Sequence, residues 1–225
     1  MKKPIRLLST KKLLVNQKQF LLNANFSVVE ADFIAIHPKE VTIDKVHENL
    51  IFTSQNAVLS VLKAVKHPET LNILKSKNVF CVGIKTKQLL EENGFNVIAY
   101  TGYAADLAEI ITLIYNKEKF TFFSGNLRRD TLPEALKNAK IVFNEIEVYE
   151  TILTPQKLNT SFDGILFFSP SGVESFLKDN KITNQMCFCI GTTTAEALEK
   201  HTKNIIIAHQ PTVENVIIQC INEYK

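Results

Sequence analysis

No stretch of the sequence approaches the ~20 consecutive apolar residues that a membrane-spanning helix needs. The excess of positive over negative residues is also small: the formal net charge is +3. No lysine run carries interleaved aromatic residues. Neither a membrane nor nucleic acid is therefore the expected partner. The first residues, Met1–Arg6, are not followed by an apolar run of signal-peptide length. We expect a cytoplasmic protein, whose mild positive charge favours an anionic small molecule.

Metal-ligand and disulfide patterns are missing from the sequence as well. The four cysteines include no CxxC pair, and the five histidines show no ligand spacing. Cys81, Cys187 and Cys189 lie in apolar strand-like runs, and Cys220 lies on the apolar side of a predicted helix. Free cysteines in such places are usually small core residues. We expect no metal site, and the cysteine placement argues against a disulfide or thiol enzyme.

The most informative stretch is Gly164–Leu177, where a short apolar run stops at Ser-Pro-Ser-Gly and apolar residues then take helical spacing. Continuous apolar strands are typical of parallel sheets buried on both faces. Ser169, followed by proline, suits the start of a helix. The free amides of that helix start favour an anion. The same order recurs in Leu50–Val58, with Ser54 in the place of Ser169.

A second corner also occurs twice in the sequence. Phe80–Thr86 parallels Phe188–Thr194, and each is followed by a Leu-Glu pair and lies downstream of its own Ser-ended strand. Strands alternate with helices almost throughout, with helices predicted over Lys11–Asn23 and Thr193–Lys200 among others. The fold class is therefore α/β with parallel sheets, and the repeat predicts two similar doubly wound units.

The predicted first strands lack a full partner set of their own, so we expect them to join the C-terminal half. This gives a discontinuous lobe 1 of residues 1–32 and 154–225 and an inserted lobe 2 of residues 38–146. Two linkers, near residues 31–37 and 146–153, connect the lobes. Because ligands bind at the carboxyl ends of strands in open parallel sheets, we expect a cleft between those ends.

Several motifs together resemble the uroporphyrinogen-III synthase family over nearly the whole chain. They are Ile51–Ser54, Val82–Thr86, Gly125–Asn126, Glu147–Thr151, Phe167–Gly172 and Ile190–Ala195. The resemblance implies two flavodoxin-like doubly wound parallel-sheet lobes joined by a two-stranded linker, with no cofactor or metal. The family's first strand usually ends in Thr-Arg, whereas Lys11 follows Thr10 here and lacks the bidentate fork of arginine.

The resemblance also implies an activity, that of a lyase in tetrapyrrole (haem) biosynthesis. The family's substrate is hydroxymethylbilane, a linear tetrapyrrole with eight carboxylates. The enzyme removes its terminal hydroxyl as water, inverts ring D through a spiro intermediate and closes the macrocycle to uroporphyrinogen III. We expect a monomer that receives its substrate by transient hand-over from hydroxymethylbilane synthase.

Tyr149 is the predicted catalytic residue, because it matches the family's tyrosine in Val-Tyr-x-Thr. A phenol is protonated at neutral pH and can hydrogen-bond a departing hydroxyl; the alternative is an aromatic side chain that only packs on the linker. The predicted substrate-binding residues lie at strand ends and first helical turns: Thr10, Ser54, Thr86, Gly125, Asn126, Arg128, Ser169, Ser171, Gly172, Thr193 and Thr194. Lys11, Lys12 and Arg129 have weaker claims of the same kind.

Plain structural roles remain open for these residues: helix caps for the hydroxyls, a solvated turn for the arginines and turn geometry for the glycines. Two other function classes also remain. A non-catalytic two-lobed small-anion-binding protein has the same fold, although such receptors are exported. A flavodoxin or response-regulator relative needs bound flavin, or an acidic cluster at strand ends where this chain has serine, glycine and threonine.

Overall fold

The computed structural model describes residues 4–43 and 45–225, and these form eleven strands and nine helices. In chain order they are β1 (Arg6–Ser9), α1 (Val15–Asn23), β2 (Ser27–Glu30), β3 (Ile34–Pro38), β4 (Asn49–Phe52), α2 (Gln55–Ala64), α3 (Pro68–Lys75), β5 (Asn78–Val82), α4 (Ile84–Glu92), β6 (Asn96–Thr101), α5 (Ala104–Ile114), β7 (Lys119–Gly125), α6 (Thr131–Asn138), β8 (Val142–Leu153), β9 (Gly164–Phe167), α7 (Pro170–Asp179), β10 (Met186–Cys189), α8 (Thr192–Glu196), β11 (Ile205–Ile207) and α9 (Val213–Tyr224). None of the described helices is long and apolar enough to cross a membrane.

The chain divides into two compact units. Unit 1 comprises the chain up to Ala35 together with Ile152–Lys225, and unit 2 comprises Ile36–Thr151. Strands β3 and β8 carry the chain from one unit to the other and lie side by side in one sheet. The predicted two-stranded linker is therefore formed by β3 and the end of β8.

The strand order reveals how the two sheets are related. Unit 1 holds a parallel sheet in the order β2-β1-β9-β10-β11, which is the 2-1-3-4-5 order of flavodoxin-like proteins. Unit 2 holds the parallel order β8-β7-β4-β5-β6, with β3 at the edge beside β8. Strands β7 and β8 occupy the positions in this sheet that β1 and β2 occupy in the sheet of unit 1. In unit 2, however, they are the last two strands along the chain, whereas β1 and β2 are the first two in unit 1. The two sheets are circular permutations of one arrangement, and the predicted α/β class is confirmed.

Both faces of each sheet are buried, as the continuous apolar strands predict. In β9, Ile165 and Phe167 point into one apolar cluster and Leu166 points into another on the opposite face. Strand β4 alternates in the same way between two clusters of unit 2. Helices cover these clusters, so the polar groups available to a ligand are concentrated at the strand ends.

The four cysteines are buried and free, and burial raises the pKa of each thiol to about 12. At neutral pH such thiols carry almost no thiolate, which is the reactive form. Cys187 and Cys189 point to the same face of their strand, and Phe188 between them points to the other. The prediction that the cysteines are core residues is confirmed, and their burial argues against a reactive thiol.

Helix α1 begins four residues later than the sequence predicts. The backbone amides of Lys12 and Leu13 donate to the carboxylates of Asp32 and Glu30, each at 2.8 Å. These bonds give the amides partners outside a helix, so the chain from β1 to α1 stays a loop. The same amides are thereby unavailable to a ligand.

Helix α8 ends at Glu196, so the prediction that it continues to Lys200 is wrong. Beyond this point Leu198 N donates to Ala195 O at 2.8 Å, and His201 N donates to Leu198 O at 2.8 Å. Hydrogen bonds between residues three apart form tighter turns than the four-residue bonds of an α-helix, so the α-helix ends here. The apolar spacing alone did not distinguish these turns from a helix.

We predict that Gly164→Ala destabilises unit 1. A Cβ atom at Gly164 would lie 2.9 Å from Leu7 Cδ2, 2.9 Å from Tyr224 Oη and 3.1 Å from Phe188 Cε2. Forcing these side chains apart should cost about 1–3 kcal/mol of unfolding free energy, measured by denaturant titration. Gly102→Ala is the control, because a Cβ atom there meets nothing within 4 Å. Equal stability of the two variants would contradict this packing.

Candidate active site

Serine caps stand where β4 and β9 end, as the repeated pattern predicts. The hydroxyl oxygen of Ser54 accepts a hydrogen bond from the N–H of Ala57 at 3.1 Å. That of Ser169 accepts from the N–H of Gly172 at 3.0 Å. Each serine satisfies one of the amides that a helix start leaves without a partner. Helices α2 and α7 therefore begin at the carboxyl edge of their sheets, where ligands bind in parallel α/β proteins.

Tyr149 lies on β8 at this edge of unit 2. Its hydroxyl oxygen is 3.1 Å from that of Ser54, so the phenol ends beside the start of α2. Its ring covers Gly125 at the end of β7, where a Cβ atom would lie 2.3, 2.5 and 2.8 Å from three ring atoms. Any other residue at position 125 would collide with the ring. The structure thus brings together three predicted site residues, Ser54, Gly125 and Tyr149.

Four predicted site residues of unit 1 also meet at one corner. The Thr10 hydroxyl donates to the carbonyl of Leu166 at 2.8 Å. A Cβ atom at Gly172 would lie 3.3 Å from Ser169 Oγ and 3.8 Å from Thr10 Oγ1, so these groups are close neighbours. The hydroxyl oxygens of Ser169 and Ser171 are 3.0 Å apart. Thr10 is buried, whereas Ser169 and Ser171 are half-buried and remain accessible to a ligand.

The predicted threonines lie in the first turns of α4 and α8, but the cap residues are Gly83 and Gly191. Thr86 and Thr194 are 4% and 1% exposed, and Thr193 is half-buried. Gly83 has φ +90°, in the left-handed region, whereas Gly191 has an extended backbone. The two corners therefore share their place in the sheet but not their backbone geometry. The side chains of Thr86 and Thr194 are therefore largely shielded from solvent.

Asn126 and Arg128 brace the loop after β7 against β8. The Asn126 side chain accepts from Thr151 N at 2.8 Å and donates to Thr151 O at 3.3 Å. Arg128 holds both carboxylate oxygens of Glu145, at 2.6 and 3.0 Å, and also bonds to Asp130. Both side chains therefore already have protein partners.

The ion pair of Arg128 and Glu145 is stable to titration near neutral pH. The hydrogen bond to Glu145 raises the pKa of Arg128 above its usual range. Burial acts to raise the pKa of Glu145, but hydrogen bonds from Arg128 and Ser124 outweigh it, and that pKa lies below its ordinary value. Three of the five N–H donors of Arg128 are used by Glu145 and Asp130, so a ligand carboxylate has only the other two available. Arg129 is exposed and has no ion-pair partner among the described residues.

The two lysines after β1 are also engaged. The Lys11 ammonium lies 5.8 Å from the ring centroid of Phe168, and Lys12 lies 3.9 Å from a carboxylate oxygen of Asp32. Contacts this long and this exposed hold a side chain only weakly. Both lysines can therefore turn toward an anion without a large loss.

Sequence reasoning missed the contact between Ser54 and Tyr149. In the sheet, β7 lies between β8 and β4, so the tyrosine must reach across the end of β7 to meet the serine. Gly125 at that strand end makes the crossing possible, because it has no side chain in the way. The sequence signal for this contact was Gly125, the glycine that ends the strand between β8 and β4. Interpreting it required knowledge of the permuted strand order.

We predict that Gly125→Ala displaces the Tyr149 ring and breaks its bond to Ser54 while the fold is kept. The ring is the movable partner, since rotation of the tyrosine side chain relieves the contact at little cost. A crystal structure of the variant would measure the displacement. Gly191→Ala is the matched control, because a Cβ atom there meets nothing within 4 Å. A ring that keeps its position in Gly125→Ala would disprove the constraint.

Comparisons with known proteins agree with this architecture. A family model described as uroporphyrinogen-III synthase HemD matches residues 18–218. The uroporphyrinogen-III synthase of Chlorobaculum parvum is 30% identical over 170 residues, which cover 67% of this chain and 69% of that protein.

Two solved structures share the fold. The uroporphyrinogen-III synthetase of Helicobacter pylori matches with a TM-score of 0.75 and 20% identity, covering 98% of this chain and 100% of that chain. A mutant uroporphyrinogen III synthase of Thermus thermophilus matches with a TM-score of 0.66 and 14% identity, over 98% of this chain and 100% of that chain. Since the family model spans most of the sequence, the chain belongs to the uroporphyrinogen-III synthase family.

Proposed function

We propose that this protein is a uroporphyrinogen-III synthase, which dehydrates and cyclises hydroxymethylbilane with inversion of ring D. The observation that carries the proposal is Tyr149, whose hydroxyl is held at the carboxyl edge of a parallel sheet by Ser54 and Gly125. Membership of the family supports the reaction, and we assign the role of proton donor in it to Tyr149.

In the proposed reaction, Tyr149 donates a hydrogen bond to the terminal hydroxyl of the substrate. The carbon–oxygen bond breaks with its electron pair going to oxygen, and the tyrosine proton completes a water molecule. The carbon left behind is electron-poor and is stabilised by the adjacent pyrrole nitrogen. Attack by the substituted α-carbon of ring D gives the spiro intermediate. The older bond from that carbon to its methylene group then breaks, the freed methylene bonds to the other α-carbon of ring D, and the proton lost from that carbon restores the phenol.

Substrate binding in this proposal uses neutral donors more than cations. Ser169 and Ser171 offer hydroxyls in unit 1, beside the free amides at the start of α7. Arg129 offers an exposed guanidinium in unit 2. Arg128 and Asn126 serve as braces, because their side chains are already bonded to Glu145 and Thr151.

Two of the three carboxylates on β8, those of Glu145 and Glu147, are paired within the protein. Glu147 pairs with Lys39 at 2.7 Å, and Glu145 pairs with Arg128. This pairing matters because free carboxylates would repel a substrate that carries eight negative charges. Catalysis then depends on holding the flexible chain so that the inverting attack is faster than direct closure.

The proposal keeps the predicted monomer, cytoplasmic location and transient hand-over from hydroxymethylbilane synthase. Hydroxymethylbilane closes unaided to the wrong isomer, so substrate that stays free in solution is converted to the type I product. A short transfer between the two enzymes would limit that loss.

We predict that the protein converts freshly made hydroxymethylbilane mainly to the type III isomer. Without protein, the same substrate should close to the type I isomer, and chromatographic separation of the isomers measures the ratio. A non-catalytic anion-binding protein would bind the tetrapyrrole and leave type I as the product. That outcome would refute the proposed activity.

We predict that Tyr149→Phe lowers kcat by about 10²-fold or more, because the variant keeps the ring but loses the proton donor. Its melting temperature should stay close to that of the wild type, since the ring still covers Gly125. Tyr103→Phe is the control, because Tyr103 is 57% exposed and is not among the proposed site residues. Undiminished turnover in Tyr149→Phe would remove this residue from the mechanism.

A further inference from the structure

The Ser54 hydroxyl has two partners with different requirements. On one side it accepts the N–H of Ala57 at 3.1 Å, and on the other it lies 3.1 Å from the Tyr149 hydroxyl. The bond to Ala57 can run in only one direction, because an amide N–H can only donate. The bond to Tyr149 can run in either direction, since each hydroxyl can donate or accept.

Two physical effects favour Ser54 as the donor in that second bond. A hydroxyl oxygen that already accepts a hydrogen bond becomes a stronger donor through its own proton. The first-turn amides of α2 also place a partial positive charge beside Ser54, which favours electron density on the neighbouring phenol oxygen. Both effects increase as Tyr149 begins to give up its proton.

The geometry points to Ser54 as a positioning residue that donates to the Tyr149 oxygen and so directs the proton of Tyr149 toward the substrate. This inference rests on the proposed function, in which that proton meets the departing hydroxyl. Ser54 itself acts through Tyr149, and its effect is to orient the phenol proton and to stabilise the charge that develops on the phenol oxygen.

Comparison with the other helix caps shows that this arrangement is particular to one corner. Ser169 caps α7 in the same way, but its second partner is Ser171 on the same helix. Thr212 caps α9 by accepting from Asn215 N at 3.2 Å. Capping a helix therefore does not require a tyrosine, which is consistent with a role for the Ser54–Tyr149 pair beyond the cap.

Four variants separate the positioning role from the cap. Ser54→Ala removes the cap and the proposed donor, and Ser54→Thr keeps both. Thr212→Ala removes a cap elsewhere and controls for the loss of stability, which should be similar for the two caps. We expect kcat to fall about tenfold in Ser54→Ala, to stay within about twofold of wild type in Ser54→Thr, and to be unchanged in Thr212→Ala.

The fourth variant combines Ser54→Ala with Tyr149→Phe. If Ser54 acts through the phenol, removing the serine should have no further effect on kcat once the phenol is gone. The same tenfold loss in the Tyr149→Phe background would show a direct or purely structural role and would overturn the inference.

A measurement that does not depend on turnover decides the direction of the bond. In protein labelled with 13Cζ-tyrosine, the Tyr149 resonance is assigned by its disappearance in Tyr149→Phe. Loss of a donor to the phenol oxygen should move this resonance downfield in Ser54→Ala, and Ser54→Thr should leave it in place. An upfield shift or no shift would overturn the inference. If the wild type makes no type III isomer, the proposed function fails while this readout still decides the hydrogen bond.

Discussion

Burial of both sheet faces is the constraint on which the rest of the structure depends. Strands such as β9 are apolar on both sides, so polar groups that bind a ligand have little room within the sheet. Hydroxyls and amides are concentrated where strands end and helices begin. Ser54 and Ser169 hold those places, and each also completes the first turn of its helix. The residues that shape the fold are therefore the same residues that supply polar groups at the carboxyl edges of the two sheets.

The sequence predicted the parts of the site that depend on local chemistry. A serine after an apolar run, with helical spacing beyond it, identified both caps, because a cap uses only neighbours along the chain. Partners across strands could not be read in the same way. Arg128 was predicted to bind substrate, but the pairing of β7 with β8 brings Glu145 within reach of its guanidinium. The late start of α1 likewise depends on acidic residues that β2 brings alongside.

Two units with the same arrangement of strands have different chemistry at equivalent corners. In unit 1 the cap hydroxyl meets another serine, and in unit 2 it meets a tyrosine that crosses Gly125. The repeat therefore supplied the scaffold twice, and the two corners differ in the side chain that the cap hydroxyl meets. The same holds for Gly83 and Gly191, which occupy equivalent positions with different backbone angles.

The permuted strand order also affects how the chain folds as it is made. Unit 2 is a continuous segment, so all of its strands are available once residue 151 has left the ribosome. Strands β1 and β2 are synthesised first, yet β1 pairs with β9, and Arg6 bonds to Asp163 across 157 residues. The sheet of unit 1 therefore cannot be completed until β9, β10 and β11 have been made, whereas all strands of the inserted unit precede them in the chain.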